Sequence, residues 1–313
     1  MRDALGTVHA RAPAGARIAC LVPSITELVC DLGLAAQMVA RTGFCIHPRA
    51  TVAAIPKVGG TKDVDIARLR ALAPTHVIVN IDENNKPAVG EIAQFVPHVI
   101  VTHPNAPQDN FDLYRLIGAI FDRDAAAEKM CDALRAALAA ALRNTATLPR
   151  ENVLYLIWKE PWMTVARDTY ISRTLAAVGW DTVPPAAAAA AAAATPAAAD
   201  GATAVAAADS APATVGAARY PQLSPAALMH AASAADAVLL STEPYMFRAP
   251  HVAALQAQLD ALSATAPRVM LIDGEMTSWY GSRAIAGLGY LTRLRAQGAG
   301  TRTAPDPAAA RFA

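Results

Sequence analysis

Two stretches of the chain, residues 17–104 and 151–298, each alternate short apolar runs with amphipathic segments, and an uninterrupted helical stretch over residues 122–143 joins them. Alternating strands and helices are typical of parallel sheets covered by helices. A helix of about 22 residues is roughly 33 Å long, which is enough to connect two lobes at one side of a cleft. The sequence therefore predicts an α/β protein with two lobes, each a small, mostly parallel sheet flanked by helices, on one long rigid helix.

Five regions follow from this layout. The segment 184–218 is rich in alanine, contains an unbroken alanine run at 186–194 and has no apolar face, so we expect a low-complexity insertion. Both ends of the chain are expected to be flexible. The predicted regions are a flexible N-terminus (1–16), an N-terminal lobe (17–121), a connecting backbone helix (122–146), a C-terminal lobe with the insertion (147–298) and a flexible tail (299–313).

Composition excludes several classes of protein. The formal net charge is +1, which does not indicate a nucleic-acid surface. The apolar stretch 18–34 is interrupted by Glu27 and Asp31, so we expect no membrane-spanning helix. Residues 1–16 lack the apolar core of a secretory signal, which makes a cytoplasmic location an alternative to an exported one.

The sequence contains no catalytic signature. It has no G-x-G-x-x-G after a strand, no Walker loop, no G-x-S-x-G elbow and no H-E-x-x-H pair. We therefore expect a binding protein rather than an enzyme, with no catalytic residues and no catalytic cofactor.

The loop 43–48 contains Cys45 and His47, and alternate residues of an extended segment point the same way. Imidazole and thiolate groups are both metal ligands, so the pair could face one metal. A zinc site usually needs three or four protein ligands, however, and no partner motif completes one here. The alternative is a histidine bonded to the loop backbone beside a buried cysteine.

Aromatic residues cluster beyond two strands of the second half. Trp158 and Trp162 follow the first strand, and Trp279, Tyr280 and Arg283 follow the last one. Ligands of open α/β sheets bind at the carboxyl ends of strands. These loops could therefore form a flat wall for a planar ligand such as a corrinoid or a porphyrin-like chelate, although packing inside the lobe is the alternative.

Two further segments carry local signals. Ser24 and Glu27 match an S-x-x-E capping box, which predicts a helix over residues 25–32. The polar loop 82–85 follows another strand, where its side chains either hydrogen-bond a ligand or are solvated.

Both halves resemble one known family. RIACLVPSITELVCDLGL and KVGGTKDVDIARLRALAPTHVIVN are similar to the first lobe of the vitamin B12 and iron-siderophore periplasmic binding proteins, also called the helical-backbone metal receptor superfamily. RYPQLSPAALMHAASAADAVLLSTEPY and VMLIDGEMTSWYGSRAIAGLGYL resemble its cobalamin-binding branch. The resemblance covers residues 17–298 apart from the insertion.

The resemblance implies the class III solute-binding architecture, a monomer, a periplasmic location and ABC-type uptake. It implies that cobalamin or a related metal chelate is held in the cleft by Phe44 and His47 of the first lobe and by Trp162, Trp279 and Tyr280 of the second. His47 stands where many relatives carry a tyrosine before proline, so it is a candidate contact to cobalt.

One family feature is poorly matched. Transporter-linked relatives carry a surface glutamate on each lobe that docks onto permease arginines. This chain offers Glu83, slightly shifted, with Lys86 nearer the usual place, and residues 224–226 contain no acid. A soluble intracellular corrinoid-binding accessory protein without a permease partner is therefore an alternative, as is a receptor for a ferric siderophore. A free-ion receptor would need more ligands than His47, His103 and Glu83.

Overall fold

Four parallel strands form the sheet of the first lobe in this computed structural model, which describes residues 1–183 and 219–300. The strands lie in the order β2-β1-β3-β4. Ile78 packs into one hydrophobic cluster and Val77 and Val79 into another, so apolar layers cover both faces of the sheet. The strands are β1 (Ile18–Cys20), β2 (Met38–Arg41), β3 (His76–Asn80) and β4 (His98–Thr102).

Five helices accompany this sheet. On α1 the predicted capping box is wrong, because the helix begins at Pro23 and no side chain caps it. Proline is suited to the first helical position, since its ring fixes φ and it lacks an N–H that would need a partner. The helices are α1 (Pro23–Asp31), α2 (Arg49–Val52), α3 (Ile66–Ala71), α4 (Lys86–Ile92) and α5 (Asn110–Ile120).

The second lobe contains a mixed sheet in the order β10-β9-β5-β6-β8, with β7 paired to the start of β5. β5, β7, β9 and β10 are parallel, whereas β6 and β8 run antiparallel to their neighbours. The strands are β5 (Glu151–Trp158), β6 (Trp162–Thr164), β7 (Trp180–Thr182), β8 (Gln222–Leu223), β9 (Ala237–Ser241) and β10 (Arg268–Ile272). The helices are α7 (Tyr170–Ala176), α8 (Pro225–Ser233), α9 (Ala249–Asp260), α10 (Gly274–Ser278) and α11 (Arg283–Gly300).

Two loops predicted from the sequence contain regular structure instead. Trp158 is the last residue of β5 and Trp162 the first of β6, because the chain turns back between them and pairs Trp158 with Met163. A three-residue strand is too short to show a periodic signal. The segment after β10 forms α10, whose N-terminus is capped by Asp273 through a 3.1 Å bond from the Met276 amide.

The backbone helix α6 (Asp124–Thr145) joins the lobes and packs against α5 and α11. Its buried residues Ala127, Cys131, Leu134 and Ala141 lie four, three and seven positions apart, which places them on one face. That face belongs to a hydrophobic cluster that also contains Ile78 of the first sheet and Leu239 of the second. The two lobes therefore share one continuous core.

The prediction of a flexible N-terminus for residues 1–16 differs from the structure. The Asp3 carboxylate accepts hydrogen bonds from the amides of Leu5, Thr7 and Val101 and contacts His9 Nε2 at 2.9 Å. Burial would raise the pKa of Asp3, but these hydrogen bonds outweigh burial and lower it. The segment is thus fastened to the edge of the first lobe at β4.

The expected fold class, two α/β lobes on a long backbone helix, is confirmed. Within the described residues, no helix is both long enough and apolar enough to cross a membrane. The predicted insertion 184–218 and residues 301–313 of the predicted tail lie outside the described residues, and α11 continues to Gly300.

Candidate functional site

The carboxyl ends of the parallel strands in the two sheets face each other. His47, after β2, contacts Glu275, after β10, with 3.1 Å between Nε2 and the carboxylate. Asp82, after β3, accepts a 2.7 Å hydrogen bond from Arg219 of the second lobe. The space between these strand ends is the cleft, and it is where α/β sheets place their ligands.

The loop after β2 sends its side chains in different directions. His47 is partly exposed and its ring lies edge-on to Trp279, with 5.6 Å between centroids. Cys45 is fully buried, its Sγ lies 3.1 Å from the Thr42 hydroxyl, and burial raises the pKa of its thiol. Of the two alternatives, Cys45 and His47 do not face one ligand, because the loop turns at Thr42 and is not extended. The buried cysteine of the other alternative is found, but His47 contacts Glu275 and not the loop backbone.

Arg283, the first residue of α11, joins the lobes with its guanidinium group. It donates two 2.7 Å hydrogen bonds to Glu27 of the first lobe and one of 2.6 Å to Glu275 of its own lobe. It also lies 4.8 Å from the Trp279 ring centroid. Arg283 thus carries one cross-lobe connection, and a direct ligand contact from it stays a prediction.

Tyr280 makes a second connection. Its hydroxyl donates to the Glu83 carboxylate across the cleft, and its ring packs edge-on against Tyr170. Burial raises the pKa of Glu83 to about 7, the Tyr280 bond partly opposes this, and Glu243 adds to it. Glu83 consequently faces the cleft and does not stand outward as a docking acid.

Glu243 lies in the connection after β9 and accepts a 3.2 Å hydrogen bond from Trp279 Nε1. Burial raises its pKa to about 7, with a contribution in the same direction from Glu275. Glu243 was not a candidate from the sequence, since a single glutamate after a strand matches no motif.

Arg219 forms a third connection that the sequence did not indicate. Its guanidinium binds both oxygens of Asp82 and donates to Asn105 at 2.6 Å. Burial alone would raise the pKa of Asp82, but His103 and Arg219 lower it. Arg219 directly follows the alanine-rich segment, and no sequence motif marks it.

The predicted aromatic wall is divided into two sets. Trp158 packs edge-on against Tyr245, and Trp162 stacks on Phe247 with 6.0 Å between centroids. Trp279 and Tyr280 are each only 7% exposed. Trp279 contacts His47, Arg283 and Glu243, and Tyr280 contacts Glu83 and Tyr170. No ring contact within the described chain joins the two sets, and a ligand contact from any of the four rings stays a prediction.

Large apolar side chains are exposed on the loops around the cleft. Phe44 is 62% exposed, Ile46 48%, Ile81 41% and Met246 61%. These residues follow β2, β3 and β9, so they belong to both lobes. Their loops begin at the carboxyl ends of strands, where α/β sheets place their ligands.

Residues 1–183 and 219–300 contain no group of three or more His, Cys, Asp or Glu side chains arranged to hold a metal ion. His47 and His103 therefore lack the companions that a bare ion requires.

Solved structures with similar folds cover most of this chain. A vitamin B12 binding protein, BtuF of Vibrio cholerae, matches with a TM-score of 0.68 and 16% identity over 91% of this chain and 98% of its own. The haem-binding protein RhuT from Roseiflexus sp. RS-1 matches with a TM-score of 0.68 and 20% identity over 91% and 99%. A periplasmic haem-binding protein from Pseudomonas aeruginosa matches with a TM-score of 0.69 and 18% identity over 90% of this chain and 93% of its own.

None of the curated protein sequences matches this chain. The model of the periplasmic binding protein family, however, matches residues 18–188, which is more than half of the 313 residues. The expectation of a binding protein rather than an enzyme is confirmed by this match. The chain belongs to the periplasmic binding protein family.

Proposed function

We propose that this protein is a receptor that holds a metal chelate in the cleft between its lobes, with cobalamin as the first candidate ligand. The observation that carries the proposal is the exposure of four large apolar side chains, Phe44, Ile46, Ile81 and Met246, on loops that follow strands of both lobes. A macrocycle lying on these residues would remove their apolar area from water, at about 25 cal/mol per Å².

His47 is suited to approach the metal of such a chelate. Its Nε2 is held by Glu275 at 3.1 Å, and its Nδ1 has no hydrogen-bond partner in the described chain. A carboxylate on one ring nitrogen orients the imidazole and makes the other nitrogen a better metal ligand. His47 would therefore contact cobalt, or iron in the case of haem, through Nδ1.

The proposal includes a periplasmic location and delivery to an ABC permease, in keeping with the family. Docking onto a permease is poorly supported here, because Glu83, the candidate docking glutamate of the first lobe, is bonded to Tyr280 inside the cleft. A corrinoid-binding protein without a permease partner is the alternative for the partner, and haem or a ferric siderophore is the alternative for the ligand.

The test is a titration of the purified protein with aquocobalamin, cyanocobalamin and haemin, followed by calorimetry and absorbance. We expect one corrinoid per chain and a band shift with aquocobalamin that His47→Ala abolishes. His230 is an exposed histidine on α8, so His230→Ala is the matched control. It should leave the stoichiometry and the band shift unchanged. Binding of haemin alone would make the protein a haem receptor, and binding of none of the three would overturn the proposal.

A further inference from the structure

Two acids of the cleft differ from the others in their partners. Glu27, Glu275 and Asp82 are each paired with an arginine at 2.6–2.8 Å. Glu83 and Glu243 instead accept from the neutral donors Tyr280 and Trp279. Within the described residues neither of these two acids forms an ion pair within 4.0 Å.

We propose that Glu83 and Glu243 set the ligand specificity of the cleft, by accepting hydrogen bonds from N–H or O–H groups on the edge of a chelate and by rejecting chelates that carry carboxylates there. The inference rests on the proposed function and adds to it the chemical class of the ligand edge.

The two acids reach the cleft from opposite lobes, since Glu83 follows β3 and Glu243 follows β9. They lie near enough for the charge of Glu243 to raise the pKa of Glu83. Lys62 acts on Glu83 and Arg283 acts on Glu243, and each positive charge opposes the rise in the pKa of its acid. Lys62 donates at 2.8 Å to the backbone carbonyl of Asp82 and Arg283 donates to Glu27 and Glu275, so neither cation hydrogen-bonds the two acids.

Each acid also retains an unused acceptor. The bonds from Tyr280 and Trp279 reach the Oε1 atoms, and neither Oε2 atom has a partner in the described chain. These Oε2 atoms are not among the fully buried side-chain atoms of the described residues that lack a hydrogen bond. A ligand N–H would find a charged acceptor there, and such bonds are stronger than neutral ones.

A carboxylate on the ligand would meet these acids with the same charge. To bind, it would either have to protonate Glu83 and Glu243 or remain beside two negative charges. Both routes cost free energy, and a cost equivalent to one pKa unit weakens binding tenfold. Haem carries two propionates, whereas the edge of a cobalamin or cobinamide corrin carries amides. The pair of acids thus favours the amide-bearing chelate.

The test compares two ligands with the same corrin ring, dicyanocobinamide with amide side chains and dicyanocobyrinic acid with carboxylates, at pH 8. We expect the amide form to bind at least about tenfold more tightly, as one pKa unit of repulsion requires. Glu83→Gln and Glu243→Gln should each reduce this ratio, chiefly by tightening the carboxylate form. Glu91→Gln, the same change on the exposed face of α4, should leave the ratio unchanged.

Three outcomes would count against the inference. Equal or tighter binding of the carboxylate form by the unmodified protein would overturn it while the proposed receptor function stands. An unchanged ratio in both glutamine variants, with melting temperatures showing that they are folded, would do the same. Failure of both corrinoids to bind would overturn the inference, whereas the proposed function falls only if aquocobalamin, cyanocobalamin and haemin also fail to bind.

Discussion

Glu83 and Glu243 each hold a proton more tightly in the folded protein than in the unfolded chain, because burial raises the pKa of both to about 7. An unfolded glutamate has a pKa of about 4.3. Between these values the folded state binds more protons than the unfolded state, so the free energy of unfolding falls as the pH rises. These residues therefore make the free energy of unfolding smaller at neutral pH than at pH 4.

Replacing either acid by glutamine should remove this loss. We expect Glu83→Gln and Glu243→Gln to be more stable than the unmodified protein by at least about 1 kcal/mol at pH 8 and to show little gain at pH 4, since the folded glutamate is then protonated. Urea unfolding at the two pH values measures the difference. Glu91→Gln supplies the baseline, and a gain in that variant equal to the others would contradict the assignment to burial.

Asp3 has the opposite dependence on pH, because its pKa is lowered in the folded protein. Its contribution is present above the unfolded value of about 3.9 and is lost as the pH falls through the lower folded value.

Asp3→Ala should cost about 1–3 kcal/mol at pH 7, because it leaves the Val101 amide and other buried donors without an acceptor. It should also raise amide exchange in residues 1–16. Asp132→Ala, an exposed acid on α6, serves as control and should cost under about 0.5 kcal/mol. Unchanged exchange in Asp3→Ala would show that the N-terminal segment is held by other contacts.

At the scale of elements, the junction between α10 and α11 fixes how the second lobe meets the first. Gly281 has φ +74°, its amide donates to Asn110 at 2.6 Å, and its carbonyl accepts from Tyr114 at 2.8 Å. An added Cβ would lie 3.0 Å from the Ser24 carbonyl oxygen of the first lobe. The position therefore requires glycine both for its backbone angle and for the close approach of the lobes.

Two substitutions separate these requirements. Gly179 has a similar φ of +85°, and an added Cβ would meet open space there. Gly179→Ala should therefore lower the free energy of unfolding only by the backbone strain, about 1 kcal/mol. We expect Gly281→Ala to cost more, about 2–4 kcal/mol in total, because it also pushes against Ser24. Equal losses in chemical denaturation would mean that the approach to Ser24 does not matter.

The junction also shows where local sequence signals stop being informative. The capping residue Asp273 begins a helix through its own neighbours, whereas Glu27, expected to cap α1, binds Arg283 instead. A capping side chain bonds a backbone amide within four residues of itself. The same side chain can instead bond a distant group that the fold brings near, and then it no longer caps the helix. A partner 256 positions away cannot be inferred from the helix alone.

At the scale of the whole molecule, the lobes are parts of one core rather than independent units. The cluster that contains Ile78, Leu134 and Leu239 extends from the first sheet through the backbone helix to the second sheet. Cross-lobe bonds from Arg283, Tyr280 and Arg219 lie above it. This shared base favours a nearly fixed separation of the two cleft walls.

We therefore expect one cooperative unfolding transition. Ile78→Ala in the first lobe and Leu239→Ala in the second should each lower the same transition, by about 2–5 kcal/mol. Calorimetry gives the number of transitions, and hydrogen exchange resolved by lobe gives their extent. Two separated transitions, with each variant moving only one, would contradict the shared core.

The sequence by itself determined the longer parallel strands, the long helix and the two-lobed α/β layout, because periodicity, turn residues and helix length are local properties of the chain. It did not indicate the short strands β6, β7 and β8, whose two or three residues carry no periodic signal. It also placed His47, Glu83, Trp279 and Tyr280 at strand ends for the same reason. Only the tertiary structure decided which of these side chains meet. Glu83 with Tyr280 and Arg219 with Asp82 are separated by 197 and 137 positions, and their pairing depends on how the shared core sets one lobe against the other.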